Sequence, residues 1–219
     1  MDHATLKPQY VDGSLNVSKT ATTAMIFIAS GLLAIIVLFF ATSETKFGEK
    51  KQSFADLGGN FTLTSYQGPV SLNDYQGKVV VMYFGFMTCP EVCPNSMGIV
   101  SNGLNRLSPA QLNNTQAILV SVDPKRDTPK DLAEYASYYH SNLVAVTGSK
   151  QEIDKVTRQY GAYYDFTEIE NVTADYGVEH SSRYYIIDQT GKLITAMRHS
   201  TTAHELHAQL TQLLERETT

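Results

Sequence analysis

Residues 79–97 read VVVMYFGFMTCPEVCPNSM, and this stretch decides the fold. Val79 to Phe86 is an unbroken apolar and aromatic run, rich in β-branched residues. Such a run fits a strand buried on both faces, at the centre of a sheet with helices on either side. Cys89-Pro-Glu-Val-Cys93 comes after it and holds the only two cysteines of the 219-residue chain. Pro94 disfavours helical dihedrals at Cys93 and suits a first helical position, which predicts Cys93 at the N-cap of the next helix and Cys89 in the loop above the strand end. A thiol at a helix N-terminus meets unpaired amides and the positive end of the helix dipole, so Cys93 is expected to have the lower thiol pKa. A disulfide across three intervening residues would restrain the unfolded chain little, because bridges gain most by closing long loops. The pair therefore reads as a chemical site.

Outward from this stretch, the chain divides by composition. No charged residue lies between Lys19 and Glu44, and Met25 to Ala41 is almost wholly apolar. Residues 21–41 are enough to span a bilayer as a helix, and they are too long and too far from the start for a signal peptide. The expected organisation is an N-terminal tail (1–20), a transmembrane anchor (21–41), a polar linker (42–57) and one domain (58–219). Lys46, Lys50 and Lys51 after the span outnumber Lys7 and Lys19 before it, which by the positive-inside rule favours a cytoplasmic domain. The chemistry of the site favours the opposite side, and we take that as the expectation. Lys7 and Lys19 balance Asp2 and Asp12, so the net charge of −5 belongs to the residues after the span. A mildly acidic domain carries no footprint for nucleic acid. It is also long enough to form a core without disulfide staples.

In order, residues 58–78 read as a short hairpin with Phe61 and Leu63 inward and its turn at Gly68-Pro69. The central strand comes next, then a helix over 95–107 ended by Ser108-Pro109. A second buried strand covers 117–122. Asp123 to Asp127 is a loop, and Thr128-Pro129-Lys130-Asp131 opens a helix to about Tyr139. Next come a strand at 143–146, a helix from Ser149 to Tyr160 and a polar, irregular stretch over 162–179. Strands at 182–188 and 192–198 turn on Gln-Thr-Gly, and a last helix near 202–216 buries Leu206, Leu210, Leu213 and Leu214. This order, with a cysteine loop between central strand and helix, is α/β with a thioredoxin-like central sheet flanked by helices. An ordinary thioredoxin places a cis-proline opposite the dithiol, just before the final hairpin. All seven prolines here lie at or before Pro129, and Glu179-His180-Ser181 stands in that place. A ligand-capable imidazole replaces the peptide-binding proline.

The chain resembles the Sco/SenC family of membrane-anchored, thioredoxin-fold copper proteins. The matching residues are Phe84-Gly85-Phe86, Thr88 to Pro94, Asp123-Pro124 with Arg126-Asp127-Thr128, and Tyr176 to Ser181, within a likeness running from about Phe61 to Leu214. The resemblance implies copper binding, one ion per domain as Cu(I) or Cu(II), by Cys89, Cys93 and His180. It also implies a role as metallochaperone rather than turnover enzyme, in building the dinuclear copper site of cytochrome c oxidase. Its partners would be the copper-site subunit of that oxidase and other copper or thiol-redox proteins. Its place would be a bacterial cytoplasmic membrane, single-pass, with the C-terminal domain periplasmic. The family often has Asp before the histidine, where this chain has Glu179. Ligand chemistry agrees independently: thiolates select Cu(I), and imidazole also suits Cu(II). A structural zinc site would want four protein ligands.

Two alternatives use the same cysteines: a thiol–disulfide oxidoreductase with Cys89 and Cys93 as the redox-active pair, or a redox sensor signalling through the anchor. Met87 reads as packing against the strand. His204 and His207 fall on the solvated face of the last helix, His140 and His199 read as structural, and Arg126 and Asp127 as ordering their loop.

Overall fold

The computed structural model describes residues 31–35, 53–168 and 176–216. The chain separates into two units, residues 1–51 and 52–219. Of the first, residues 31–35 are described; they are helical and exposed. The rest of the expected anchor, and the tail, lie outside the described residues. Among those described, no helix is long and apolar enough to cross a membrane.

The second unit is built on β3 (Val79–Gly85), buried at every position as the uninterrupted apolar run requires. Its parallel neighbour β4 (Thr115–Ser121) is buried at every position too. With β5 (Leu143–Val146), β8 (Arg183–Ile187) and β9 (Leu193–Arg198) they form one five-stranded sheet, in the order β5-β4-β3-β8-β9. β3, β4 and β5 run parallel, while β8 and β9 pair antiparallel beside β3. Central strands with no exposed position need cover on both faces. That cover comes from α1 (Val92–Leu104), α3 (Pro129–Tyr139), α4 (Lys150–Gln159) and α5 (Ala203–Glu215).

Sequence signals set most boundaries. Thr128 accepts the amide of Asp131 and Pro129 opens α3, as expected. Ser149 with Glu152, and Thr202 with Glu205, form reciprocal capping boxes at α4 and α5. In α5, Leu206, Leu210 and Leu213 are buried while Leu214 is only partly so. The N-terminal hairpin pairs β1 (Thr62–Ser65) with β2 (Gly68–Ser71) and buries Phe61 and Leu63. Its turn is Tyr66-Gln67, two residues before the expected Gly68-Pro69, because the Ser65 hydroxyl closes it: it accepts the Gln67 amide and donates to the Gly68 carbonyl. Gly68, at φ 123°, supplies the backbone conformation an L side chain resists.

Two further expectations fail. The helix after the cysteine loop runs from Val92 to Leu104 rather than over 95–107, and Ser108 does not end it but caps a further short helix, α2 (Pro109–Asn113). Pro94 is tolerated in the first turn because its missing N–H is among the donors that no helix carbonyl reaches anyway. The stretch 162–179 is not wholly irregular. β6 (Tyr164–Glu168) and β7 (Tyr176–His180) form a separate two-stranded antiparallel sheet, with Tyr164 opposite His180 and Glu168 opposite Tyr176. Aromatics alternate with polar residues in Tyr164-Asp-Phe-Thr, which is a strand pattern with one solvated face.

Candidate metal centre

β3 delivers the chain to the cysteine loop at its C-terminal end. Gly85 is needed there for space: a Cβ on it would sit 2.9 Å from the Cys93 sulfur and 3.1 Å from the Tyr83 ring. The loop turns back on itself through the Cys89 amide, which donates to the Phe86 carbonyl at 3.4 Å. Cys93 lies inside α1, one residue past its start, and not at the N-cap. The N-cap is Glu91, whose side chain caps nothing. The Cys89 sulfur does that work instead, accepting the Cys93 amide at 3.4 Å. One cysteine sulfur therefore caps the helix end whose first turn holds the other.

This arrangement reverses the expected order of the thiol pKa values. Cys89 is lowered to about 4, first because the Cys93 side chain donates to it, then because the backbone amides of Cys93 and Glu91 and the His180 ring do the same. Cys93 is raised, chiefly by serving as that donor and then by burial. The helix amides do stabilise a thiolate, but they converge on the sulfur that sits in front of the helix. The negative charge is favoured on Cys89 and the proton on Cys93, and no disulfide joins them.

His180 ends β7 and turns its Nε2 to the Cys93 sulfur at 3.3 Å. Its ring is flanked edge-on by Tyr83 and Phe86, with centroids 5.9 and 5.5 Å away. Its Nδ1 is buried without a hydrogen-bond partner among the described residues. Aromatic edges therefore set the ring's orientation where metal-binding histidines usually use a hydrogen bond. Tyr83 is itself held by the Ser96 hydroxyl, which donates to its oxygen at 3.1 Å.

The loop after β4 ties both halves of the centre to the core. Asp127 accepts the Met87 amide at 3.0 Å and the Ser121 hydroxyl at 2.6 Å, which fixes the entry to the cysteine loop. Burial pushes the Asp127 carboxyl up, and these two donors pull it partly back. Asp123 pairs with Arg126 and accepts the Tyr176 hydroxyl at 2.6 Å. Arg126 donates to the Tyr176 carbonyl at 3.1 Å and lies over that ring, 4.0 Å from its centroid. Tyr176 opens the strand that ends in His180. The loop-ordering role expected of Arg126 and Asp127 is thus too narrow. Spacing alone could not show that Arg126 reaches fifty residues along the chain.

The donor atoms of Cys89, Cys93 and His180 all lie within 4.8 Å of one another. Two sulfurs and an imidazole, both cysteines buried, fit a soft cation such as Cu(I). Among the described residues they are the one His/Cys/Asp/Glu group so placed with a thiol in it. The other candidates stay apart. Met87 packs on the core, His140 Nδ1 accepts the Asn142 amide, and His204 is exposed on α5. His207 is half-buried, with its Nδ1 lacking a partner among the described residues. His199 is exposed, in a recess it shares with His180.

Comparison with known proteins agrees with this geometry. The family model described as SCO1/SenC matches residues 49–215. The mitochondrial protein SCO2 of Saccharomyces cerevisiae is 31% identical over 181 residues, 81% of this chain and 60% of its own length. The chain thus spans less than two thirds of that relative's length. The copper-bound structure of ScoI from Bradyrhizobium japonicum superposes with a TM-score of 0.65 at 31% identity, covering 72% of this chain and 99% of that one. The thioredoxin domain of a thiol–disulfide oxidoreductase from Bacteroides vulgatus shares the fold, with a TM-score of 0.52 at 17% identity over 74% of this chain and 98% of that one.

Proposed function

The chain belongs to the SCO1/SenC family, and on that premise we propose that it is a copper-binding assembly factor that delivers copper to, or matures, the dinuclear copper site of cytochrome c oxidase. The observation that carries this reading is the convergence of two buried thiols and one imidazole within 4.8 Å. Copper is the cargo here. Cys89 meets it already as thiolate, His180 offers Nε2, and Cys93 gives up a proton as the site fills. Three protein donors, with no fourth in the cluster among the described residues, hold a soft cation without enclosing it, which suits a site that must release its cargo.

The proposed setting is a bacterial cytoplasmic membrane, with residues 21–41 as a single-pass anchor and the domain on the outer side. The apolar composition of that segment supports the anchor, and the thiol chemistry supports the side. Alkaline phosphatase fused after Thr219 should be active in cells. A fusion active only as a cytoplasmic reporter would overturn the orientation.

The test of the function is copper stoichiometry of the purified chain. Wild type should hold one Cu(I) per chain. His180→Ala should lose tight binding while Cys89 and Cys93 still form a disulfide under oxidation. A second reading, dithiol exchange with the cysteines of the target site, is favoured by the Cys89 thiolate lying against a protonated Cys93. If His180→Ala keeps wild-type copper affinity, the metal assignment fails and dithiol exchange becomes the better account.

A further inference from the structure

The recess beside His180 carries charge that the fold does not use. It is lined by His180, Ser181, Ser182, Arg183, Arg198 and His199, and encloses about 370 Å³. Arg183 on β8 and Arg198 on β9 are directly opposite in the antiparallel register, and both are exposed. Like charges in that relation destabilise a strand pair. Among the described residues neither arginine forms an ion pair, and His199 adds a third basic group next to Arg198. The chain as a whole carries a net charge of −5, so this concentration of positive charge runs against its composition. A basic cluster that costs sheet stability, sits at the edge strand, and shares its floor with a metal ligand is placed for recognition.

We propose that Arg183, Arg198 and His199 form the docking surface for an acidic segment of a partner protein, held so that the partner's own metal-accepting or thiol groups face Cys89, Cys93 and His180. The occupant is a run of carboxylates on a polypeptide. Paired guanidiniums on adjacent strands match carboxylates in bidentate fashion, and opposed charge steers the encounter as well as holding it. Placing that partner at the metal centre rests on the copper-delivery reading above; the basic surface itself does not.

The probe is a fluorescein-labelled hexaglutamate peptide, titrated by fluorescence polarisation into the full chain in nonionic detergent at low ionic strength. Wild type should bind it, and salt should weaken binding strongly, since exposed charges are screened over about 10 Å at 0.1 M. The double variant Arg183→Glu, Arg198→Glu should weaken it by about tenfold or more. Arg106→Glu with Lys192→Glu, the same change in net charge on exposed residues elsewhere, should leave it near wild type. Equal loss in both double variants would reduce the effect to overall charge and overturn the proposal. So would absence of binding to wild type, or displacement of the peptide by one equivalent of inorganic phosphate, which would mark a small-anion subsite instead. Far-UV circular dichroism and copper stoichiometry of the same variants should match wild type. A wild-type chain that binds the peptide but takes no copper would defeat the proposed function and leave the basic docking surface standing.

Discussion

Cys89 and Cys93 hang from the end of β3, a strand buried at every position, whereas His180 ends β7, which has no fully buried residue and pairs only with β6. The thiols are set by the core itself: Gly85 makes room for one sulfur, and the first turn of α1 is closed by the other. The imidazole is brought in from outside on a two-stranded ribbon, an element that is marginal on its own. A short set of polar and aromatic contacts holds it, Arg126 and Asp123 on Tyr176, and Tyr83 and Phe86 around the ring. One half of the centre is therefore expected to be as stable as the domain, and the other to move without unfolding it.

The largest expected contrast is therefore in stability. Phe84→Ala removes a fully buried ring from β3 and should cost about 3–5 kcal/mol in chemical denaturation. Phe166→Ala removes a half-buried ring from β6, which touches mainly Tyr164 and Tyr176, and should cost about 1 kcal/mol or less. Equal losses would show that the ribbon is part of the cooperative core, and the contrast would collapse.

Gly85→Ala attacks the thiol half at its tightest point. With 2.9 Å available to the new methyl, the Cys93 sulfur must shift, at a cost of about 1–3 kcal/mol from overpacking. Because Cys93 is the main donor to Cys89, the alkylation profile of Cys89 should move to higher pH in this variant. An unchanged profile would mean that the loop absorbs the methyl without disturbing the pair.

Arg126→Gln attacks the imidazole half. It removes the guanidinium that bridges Asp123 to Tyr176, and outer contacts of this kind typically set metal affinity by about 10–100-fold. Cu(I) affinity, read by competition with a chromophoric chelator, should fall within that range while the Cys89 alkylation profile stays as in wild type. A change in both readouts would show that the loop after β4 acts on the thiols through Asp127 rather than on β7 through Tyr176.

The same division explains how much of the centre can be read from the sequence. The thiol half is legible because its signals are local: an apolar run, two cysteines and a proline within nineteen residues identify a buried strand, a loop and a helix start. The exact helix start is not legible, since a proline before a helix points to the first helical position although the first turn has room for it further in, where Pro94 sits. The order of the thiol pKa values depends on that start and shifts with it. His180 is identified by its place relative to the missing proline, but its strand is not, because residues 176–180 bury no position fully and carry no apolar run. Arg183 and Arg198 give no signal at all; fifteen residues separate them in sequence, and only the register of β8 against β9 makes them neighbours.

The last expected effect is a pH dependence of the thiol half. In the folded, metal-free protein Cys89 is depressed from near 9 to about 4. Its contribution to stability is fully present above the unfolded-state value near 9, declines as pH falls, and is gone once pH passes below about 4. Cys93 works in the opposite sense. Its raised folded value means that its protonated form is favoured by folding, and stability from it declines as pH rises above about 9. The pair should thus give a stability maximum near pH 9, with the acid limb owed to Cys89. Asp154, Glu152 and Glu205 are also depressed and add to the acid limb of the whole protein, so the informative quantity is a difference. Denaturation midpoints of wild type and Cys89→Ser, taken under reductant without metal, should converge toward pH 4 and separate toward pH 9. A separation that stays constant, or widens toward acid, would place the thiolate elsewhere and undo the claim that Cys89 caps the helix whose first turn holds Cys93.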